Sequence, residues 1–165
     1  MEEALYALPT NNVAAYELYV EGQQQMNLLS HEPLRKSIEL FSGAIALDPS
    51  FEAAYVARAN AYRLIMSYFD TPSEVLPMVV SSVQGALAVS SNNADALSSL
   101  GLAYVFAWRW NDAWKVLNAA KSQNSELVLT ELGFALYYAG LGDVEGVKRA
   151  LRQADKLDPL NVELA

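Results

Sequence analysis

A motif that recurs four times along the chain constrains its fold more than any other feature of the sequence. The clearest copy begins at Ala94. With Ala94 as position 1, it has large residues at positions 4, 7 and 11 and a glycine at position 8. Another copy follows without gaps at Val128, 34 residues later. Copies that begin at Ala15 and Glu52 fit once a short insertion is allowed in each. Units of this length, each too small to bury its own apolar face, are predicted to stack into a repeat array.

The residue types in each copy predict a pair of helices. Large apolar residues recur at the i, i+3, i+4 and i+7 spacing of one helical face. Small residues at positions 8, 20 and 27 allow neighbouring helices to approach closely, while large residues fill the spaces between them. The residues at position 8, which we expect to be equivalent close-contact points, are Gly22, Ala59, Gly101 and Ala135. The chain is therefore predicted to be all-α, with eight helices in four pairs that form a right-handed α-solenoid, and no strands.

The predicted repeat domain covers residues 15–161 and follows an N-terminal extension at 1–14. Its four repeats span 15–51, 52–93, 94–127 and 128–161. Residues 162–165 are expected to begin a truncated further repeat or to form a tail, because Asp158-Pro159 repeats the helix-ending Asp48-Pro49. The simplest interpretation is a domain cut from a longer protein. The alternative is a natural chain whose last apolar face is covered by self-association.

The charge and the reactive residues exclude several classes of function. Lys and Arg number 11 against 19 Asp and Glu, so the formal net charge is −8, which argues against direct binding of nucleic acid or of an anionic membrane surface. There is no cysteine and only one histidine, so thiolate sites and multi-histidine metal sites are impossible, and no cofactor is predicted. The acidic N-terminus is unlike a signal peptide, and no stretch is long and apolar enough to cross a bilayer. A cytoplasmic location is expected.

The 34-residue pattern resembles the tetratricopeptide repeat (TPR) family over residues 15–161. A narrower resemblance lies in three segments, at 15–22 (AYELYVEG), 34–49 and 108–113. These segments are similar to the C-terminal repeat domains of bacterial regulators, in which the repeats follow a winged-helix DNA-binding domain or an adenylate cyclase domain. The resemblance implies a scaffold for protein–protein interaction, with an output domain upstream of Met1.

In the TPR family the first helix of each repeat lines a concave groove, and the resemblance implies that this groove binds a protein or a peptide. Carried over position by position, the groove residues are Tyr16, Tyr19, Gln23, Asn60, Arg63, Asp95, Leu102, Phe106, Leu132 and Leu136. An amphipathic helix or an extended segment would suit a groove that changes from polar and aromatic to apolar along its length. The apolar positions could equally face further repeats or a dimer mate. None of the positions that grip a terminal carboxylate in some TPR domains is basic here, so such a clamp is not expected.

The leading hypothesis is a non-catalytic interaction scaffold, the regulatory or oligomerising part of a bacterial transcriptional regulator or signalling protein. The alternative is a stand-alone TPR adaptor or secretion chaperone. A homodimer through the uncapped C-terminal face is also expected. An enzyme is not expected and no catalytic residue is assigned, because only His31, which is predicted to lie on the surface, could act as a base at neutral pH. Trp110 and Trp114 are predicted to pack between repeats rather than to bind a ligand, because residues four apart share a helix face.

Overall fold

The computed structural model describes residues 8–159 of the 165-residue chain. Within that range it contains eight α-helices and no strand. The helices are α1 (Val13–Met26), α2 (His31–Leu47), α3 (Glu52–Tyr68), α4 (Pro72–Val89), α5 (Ala94–Phe106), α6 (Trp110–Gln123), α7 (Val128–Gly140) and α8 (Val144–Leu157). The predicted all-α solenoid of helical repeats is confirmed. The further repeat or tail predicted at 162–165 lies outside the described residues.

Consecutive helices pair into four hairpins, and the hairpins stack in chain order. The second hairpin packs through α3 on α2, and the third packs through α5 on both α3 and α4. The fourth hairpin packs through α7 on α5 and α6. The first helices of the second, third and fourth hairpins begin at Glu52, Ala94 and Val128, the residues at which the sequence pattern places these repeats.

Side-chain oxygens cap three of the helices at their N-termini. Asn12 accepts a hydrogen bond from a backbone N–H in the first turn of α1, and Asn93 and Asp143 do the same for α5 and α8. Each cap satisfies an N–H group that has no partner within its own helix. The caps therefore fix the residues at which α1, α5 and α8 begin.

Small residues at the predicted close-contact points lie inside the hairpins. A methyl group on Gly22 would lie 2.5 Å from Cε1 of Phe41, which faces it from α2. A methyl group on Gly101 would lie 2.5 Å from Cδ2 of Leu117, which faces it from α6. Ala59 and Ala135 are also buried, so all four position-8 residues lie in the packed interior. Paired helices can approach this closely only because the position-8 residue is small.

The carboxylate of Asp48 ties the N-terminal segment to the end of the first hairpin. It accepts hydrogen bonds from the Ser50 hydroxyl (2.6 Å), from the Thr10 hydroxyl and from the Ser50 backbone N–H (2.9 Å). These three bonds, in that order, hold the pKa of Asp48 below its ordinary value. Because the charged form is the one that accepts all three bonds, this turn depends on an ionised Asp48.

Asp48→Asn is expected to make the stability of the fold less sensitive to acid. The pKa of Asp48 is lower in the folded than in the unfolded chain, so its contribution to stability is present above the unfolded pKa of about 4 and is lost as the pH falls through the folded pKa. Urea unfolding at neutral pH and near pH 3 measures this loss. Asp155→Asn, on an exposed face of α8, is the matched control. Equal acid sensitivity in the wild type and Asp48→Asn would contradict this role for Asp48.

Candidate functional site

Two adjoining concavities lie along the first helices of the hairpins. The first has a volume of about 320 Å³ and is lined from α1 and α3 and from the start of α5. The second has a volume of about 340 Å³ and is lined from the C-terminal halves of α1 and α3 and by Leu129 of α7. Met26 and Asn60 line both concavities, so the two form one continuous groove. This groove is the candidate functional site.

Aromatic packing holds one wall of the first concavity in place. The ring of Tyr19 lies 5.0 Å from the ring of Phe51 and 5.8 Å from the ring of Phe41. Both phenylalanines are fully buried. The Tyr19 hydroxyl accepts a hydrogen bond of 2.8 Å from Nε2 of Gln23, one helical turn further along α1. The polar ends of both side chains are therefore set in position at the groove before any partner arrives.

The opposite wall of the first concavity is acidic. Nδ2 of Asn93 donates a hydrogen bond to the Glu52 carboxylate, while Oδ1 of Asn93 accepts one from the Ala96 N–H (2.6 Å). This pair of bonds joins the start of α3 to the start of α5. Asp95 lies exposed in the first turn of α5. No ion pair with Lys or Arg forms at Glu52 or Asp95 within residues 8–159, so this wall attracts a positively charged group.

Asn60 stands where the two concavities meet. Its Oδ1 atom is buried and accepts no hydrogen bond from the described residues of the chain. A buried acceptor without a partner costs about 1–3 kcal/mol, and most such groups in proteins are satisfied. Because this atom has almost no exposed surface, a molecule bound in the groove supplies the missing donor only when the Asn60 amide turns towards the groove that the residue lines.

The groove brings together half of the residues that the sequence analysis assigns to it. Tyr19, Gln23, Asn60 and Asp95 all line the first concavity. Arg63 is largely buried and lines the second concavity beside Asn60. These five residues come from α1, α3 and α5, the first helices of three successive hairpins.

The other five assigned residues line neither concavity. Leu102 is only 2% exposed, because α7 packs against α5 at this point. A methyl group on Gly133 of α7 would lie 3.5 Å from Cγ of Leu102, so the glycine lets the two helices close over it. Leu102 therefore offers no surface to a ligand. The remaining four are half-buried or exposed elsewhere on the solenoid: Tyr16, Phe106, Leu132 and Leu136.

The predicted set lacks other lining residues, among them Leu29, Glu52, Ala57 and Asn93. Glu52 is the first residue of α3, and Asn93 is the cap residue before α5. The predicted residues of the second and third hairpins begin at Asn60 and Asp95, so they miss the side chains at the start of α3 and just before α5. An asparagine directly before a helix is a recognisable cap signal, and it could have placed Asn93 near the groove.

The tryptophans predicted to pack between repeats do so. The Trp114 ring lies 5.4 Å from the ring of Tyr137 and 5.8 Å from that of Phe134, across the boundary between the third and fourth hairpins. Trp110 lies 6.1 Å from the Tyr137 ring and packs against Gly140. These contacts fix α7 on α6, which gives the aromatic cluster a structural role.

Two other kinds of site are absent from the described part of the chain. Among residues 8–159 no three His, Asp or Glu side chains are grouped so that they could hold a metal ion. None of the eight helices described is long and apolar enough to cross a bilayer. His31 lies at the start of α2 with Nε2 at 3.3 Å from Oδ1 of Asp70.

Solved structures similar to this one are TPR proteins. A thermophilic TPR protein of Thermus thermophilus is 18% identical, with a TM-score of 0.77 over 93% of this chain and 79% of that chain. The first TPR domain of Spaghetti (RPAP3), solved with the HSP90 peptide SRMEEVD, is 15% identical, with a TM-score of 0.63 over 82% of this chain and 99% of that chain. MamA is 20% identical, with a TM-score of 0.61 over 96% of this chain and 84% of that chain. No family model and no curated protein sequence matches the chain. The structural likeness shows the TPR fold.

Proposed function

We propose that this TPR solenoid is a non-catalytic protein-interaction module that binds an extended segment of a partner protein in its groove. The observation that carries the proposal is the continuous groove lined on both sides by Asn60, whose buried Oδ1 accepts no hydrogen bond from residues 8–159. An extended segment has free backbone N–H groups to supply that donor. A helix does not, because its N–H groups are used within the helix except in the first turn.

The groove favours a partner segment that carries both a positive charge and an apolar side chain. Glu52 and Asp95 make one end acidic. Met26, Leu64 and Leu129 give the second concavity an apolar lining beside the largely buried Arg63. The peptide bound to the Spaghetti domain ends in the acidic sequence EEVD. The acidic wall of the present groove disfavours such a peptide, so the proposed ligand is of the opposite charge.

Selection from a displayed library of random linear peptides tests this proposal. The expected ligands contain Lys or Arg at a fixed spacing from an apolar residue. Asn60→Ala is expected to weaken binding of the selected peptides about tenfold while leaving the thermal midpoint unchanged or higher, because the variant removes an unsatisfied polar group. Asp95→Asn is expected to weaken binding about fivefold and to reduce its dependence on salt.

Asn118→Ala, which removes an exposed asparagine on α6, is the matched control and is expected to bind like the wild type. The proposal fails if the selected peptides bind Asn60→Ala as tightly as the wild type, or if the library yields only acidic ligands. Turnover of a small substrate by the purified chain would contradict the non-catalytic assignment.

We also propose that the module is the regulatory or oligomerising part of a bacterial transcriptional regulator or signalling protein. The support is the resemblance carried by residues 15–22, 34–49 and 108–113. The reading frame upstream of the codon for Met1 tests it. A winged-helix or cyclase domain encoded in that frame is the expected result, while a stop codon there would favour a stand-alone adaptor or secretion chaperone.

Self-association through the last hairpin stays a prediction. Val144 and Leu151 of α8 are 61% and 38% exposed, which leaves apolar surface on this hairpin. Sedimentation velocity at increasing concentration is expected to show a dimer. A single monomeric species at the highest concentration would contradict this prediction.

A further inference from the structure

Large apolar side chains are exposed at all four turns that join the two helices of a hairpin. We call this set of residues the turn edge, and it consists of Leu28, Leu29, Tyr68, Phe69, Trp108 and Leu141. Their exposed fractions range from 45% to 77%. Single exposed apolar residues are ordinary on a protein surface. Exposed apolar side chains at the same place in every hairpin are unusual. Apolar surface of this kind marks sites of interaction where it is contiguous.

Contacts between residues beside the turns hold neighbouring turns together within each half of the solenoid. The rings of His31 and Phe69 lie 5.1 Å apart, and Arg35 donates a hydrogen bond of 2.9 Å to Asp70. Both contacts join the first turn to the second. In the other half, Trp110 packs against Gly140 at the end of α7 and so joins the third turn to the fourth.

The length of the turn edge follows from how the hairpins stack. First helices of adjacent hairpins contact one another directly. Packed helices lie about 8–10 Å apart, so the row of four turns is about 30 Å long. A helix of about 20 residues has the same length.

Backbone conformation adds an independent observation at two of the turns. Leu29 and Trp108 have φ of 48° and 60°, in the left-handed region. Each directly precedes the cap residue of a second helix, and in the fourth hairpin that position is Gly142, with φ of 74°. Glycine adopts this conformation freely, whereas large side chains there are strained. Leucine and tryptophan therefore occupy positions suited to glycine, and strain of this kind is found at functional sites.

The charges beside the turns decide the chemistry of the occupant. The basic side chains beside the turns are Arg35, Arg109 and Lys148, and each is paired: with Asp70 at 2.9 Å, with Asp112 at 2.6 Å and with Glu145 at 2.9 Å. Carboxylates outnumber these three cations, and those beside the turns are Glu32, Asp70, Glu74, Asp112, Asp143 and Glu145. This acidic border, together with the net charge of −8, repels an anionic membrane and attracts a basic partner.

We infer that the turn edge binds an amphipathic helix of a partner protein, with an apolar stripe flanked by Lys and Arg. This site goes beyond the proposed function of the groove and does not depend on it. The two surfaces meet at Leu29, which also borders the second concavity. Trp108 lies outside both concavities, so it serves to test the turn edge alone.

Trp108→Gly is the sharpest test, because it removes the largest exposed side chain and relieves the backbone strain. The probe is a fluorescein-labelled peptide of about 20 residues, made of Leu at i, i+3, i+4 and i+7 spacing with Lys elsewhere. Fluorescence anisotropy is expected to show binding to the wild type and binding roughly tenfold weaker to Trp108→Gly. The thermal midpoint of Trp108→Gly is expected to equal or exceed that of the wild type.

Control variants separate the turn edge from other surfaces. Leu47→Ser and Val89→Ser remove exposed apolar side chains at the opposite ends of the hairpins, and both are expected to bind the Leu/Lys peptide like the wild type. Asn60→Ala is also expected to bind it normally. If Asn60→Ala alone abolishes this binding, the peptide occupies the groove, so the turn-edge inference fails while the proposed function stands.

Two further probes test the chemistry of the occupant. A peptide with Glu in place of every Lys is expected to bind the wild type roughly tenfold more weakly. Equal binding of the two peptides, or unchanged binding by Trp108→Gly, would overturn the inference. Co-sedimentation of the wild type, but not of Trp108→Gly, with phosphatidylcholine vesicles would also overturn it, because the turn edge would then bind a lipid surface.

Discussion

Phe41→Ala is expected to lower the free energy of unfolding by about 4 kcal/mol. The Phe41 side chain is fully buried in the first hairpin and faces Gly22, which has no side chain to fill the space that the ring would leave. Its ring also supports Tyr19 at 5.8 Å, so the loss would reach the wall of the groove. Chemical denaturation with circular dichroism measures the change.

Phe69→Ala is the matched control, since it deletes the same ring from a site that is 45% exposed. The expected change there is about 1 kcal/mol, because a ring that is already 45% exposed has only part of its burial to lose. Similar losses in the two variants would mean that Phe41 is not part of the packed interior.

Gly101→Val is expected to destabilise the fold by about 3 kcal/mol, although valine is the better helix former. Even a methyl group at this position would lie 2.5 Å from Cδ2 and 2.7 Å from Cγ of Leu117. Leu117 is fully buried and cannot swing towards α7, because a methyl group on Gly133 would meet the same Cδ2 at 2.5 Å. The added side chain must therefore push the helices apart. Chemical denaturation measures this change as well.

Gly43→Val provides the comparison at a less crowded helix position. A methyl group on Gly43 would meet only Cδ1 of Leu18, at 3.1 Å, so the expected loss is below about 1 kcal/mol. Combining Gly101→Val with Leu117→Ala is expected to cost less than the sum of the two single changes, because the smaller residue makes space. Equal losses at Gly101 and Gly43 would contradict the close-contact role of Gly101.

The fold was predictable because the repeat pattern and the rules of helix packing indicate the same pairs of helices. The spacing of large and small residues predicted helical pairs, and Gly22 and Gly101 do face Phe41 and Leu117 across them. Such contacts lie within one hairpin and depend on local helix geometry, which short stretches of sequence encode.

The groove was only partly predictable because its surface depends on how closely neighbouring hairpins pack. Leu102 occupies a position that the repeat pattern assigns to the groove, yet Gly133 lets α7 close over it. Glu52 and Asn93 reach the groove from the starts of their helices, where the pattern has no assigned position. The left-handed conformation of Trp108 was equally hidden, because nothing about tryptophan signals it.

The packing of Leu117 between Gly101 and Gly133 affects how the array of hairpins unfolds. Its isobutyl group belongs to α6 but fills space against both α5 and α7. Loosening of the terminal hairpin must therefore expose the same atoms that hold the hairpin before it. Native-state hydrogen exchange is expected to report one cooperative opening for these two units, with matching protection in α5 and α7.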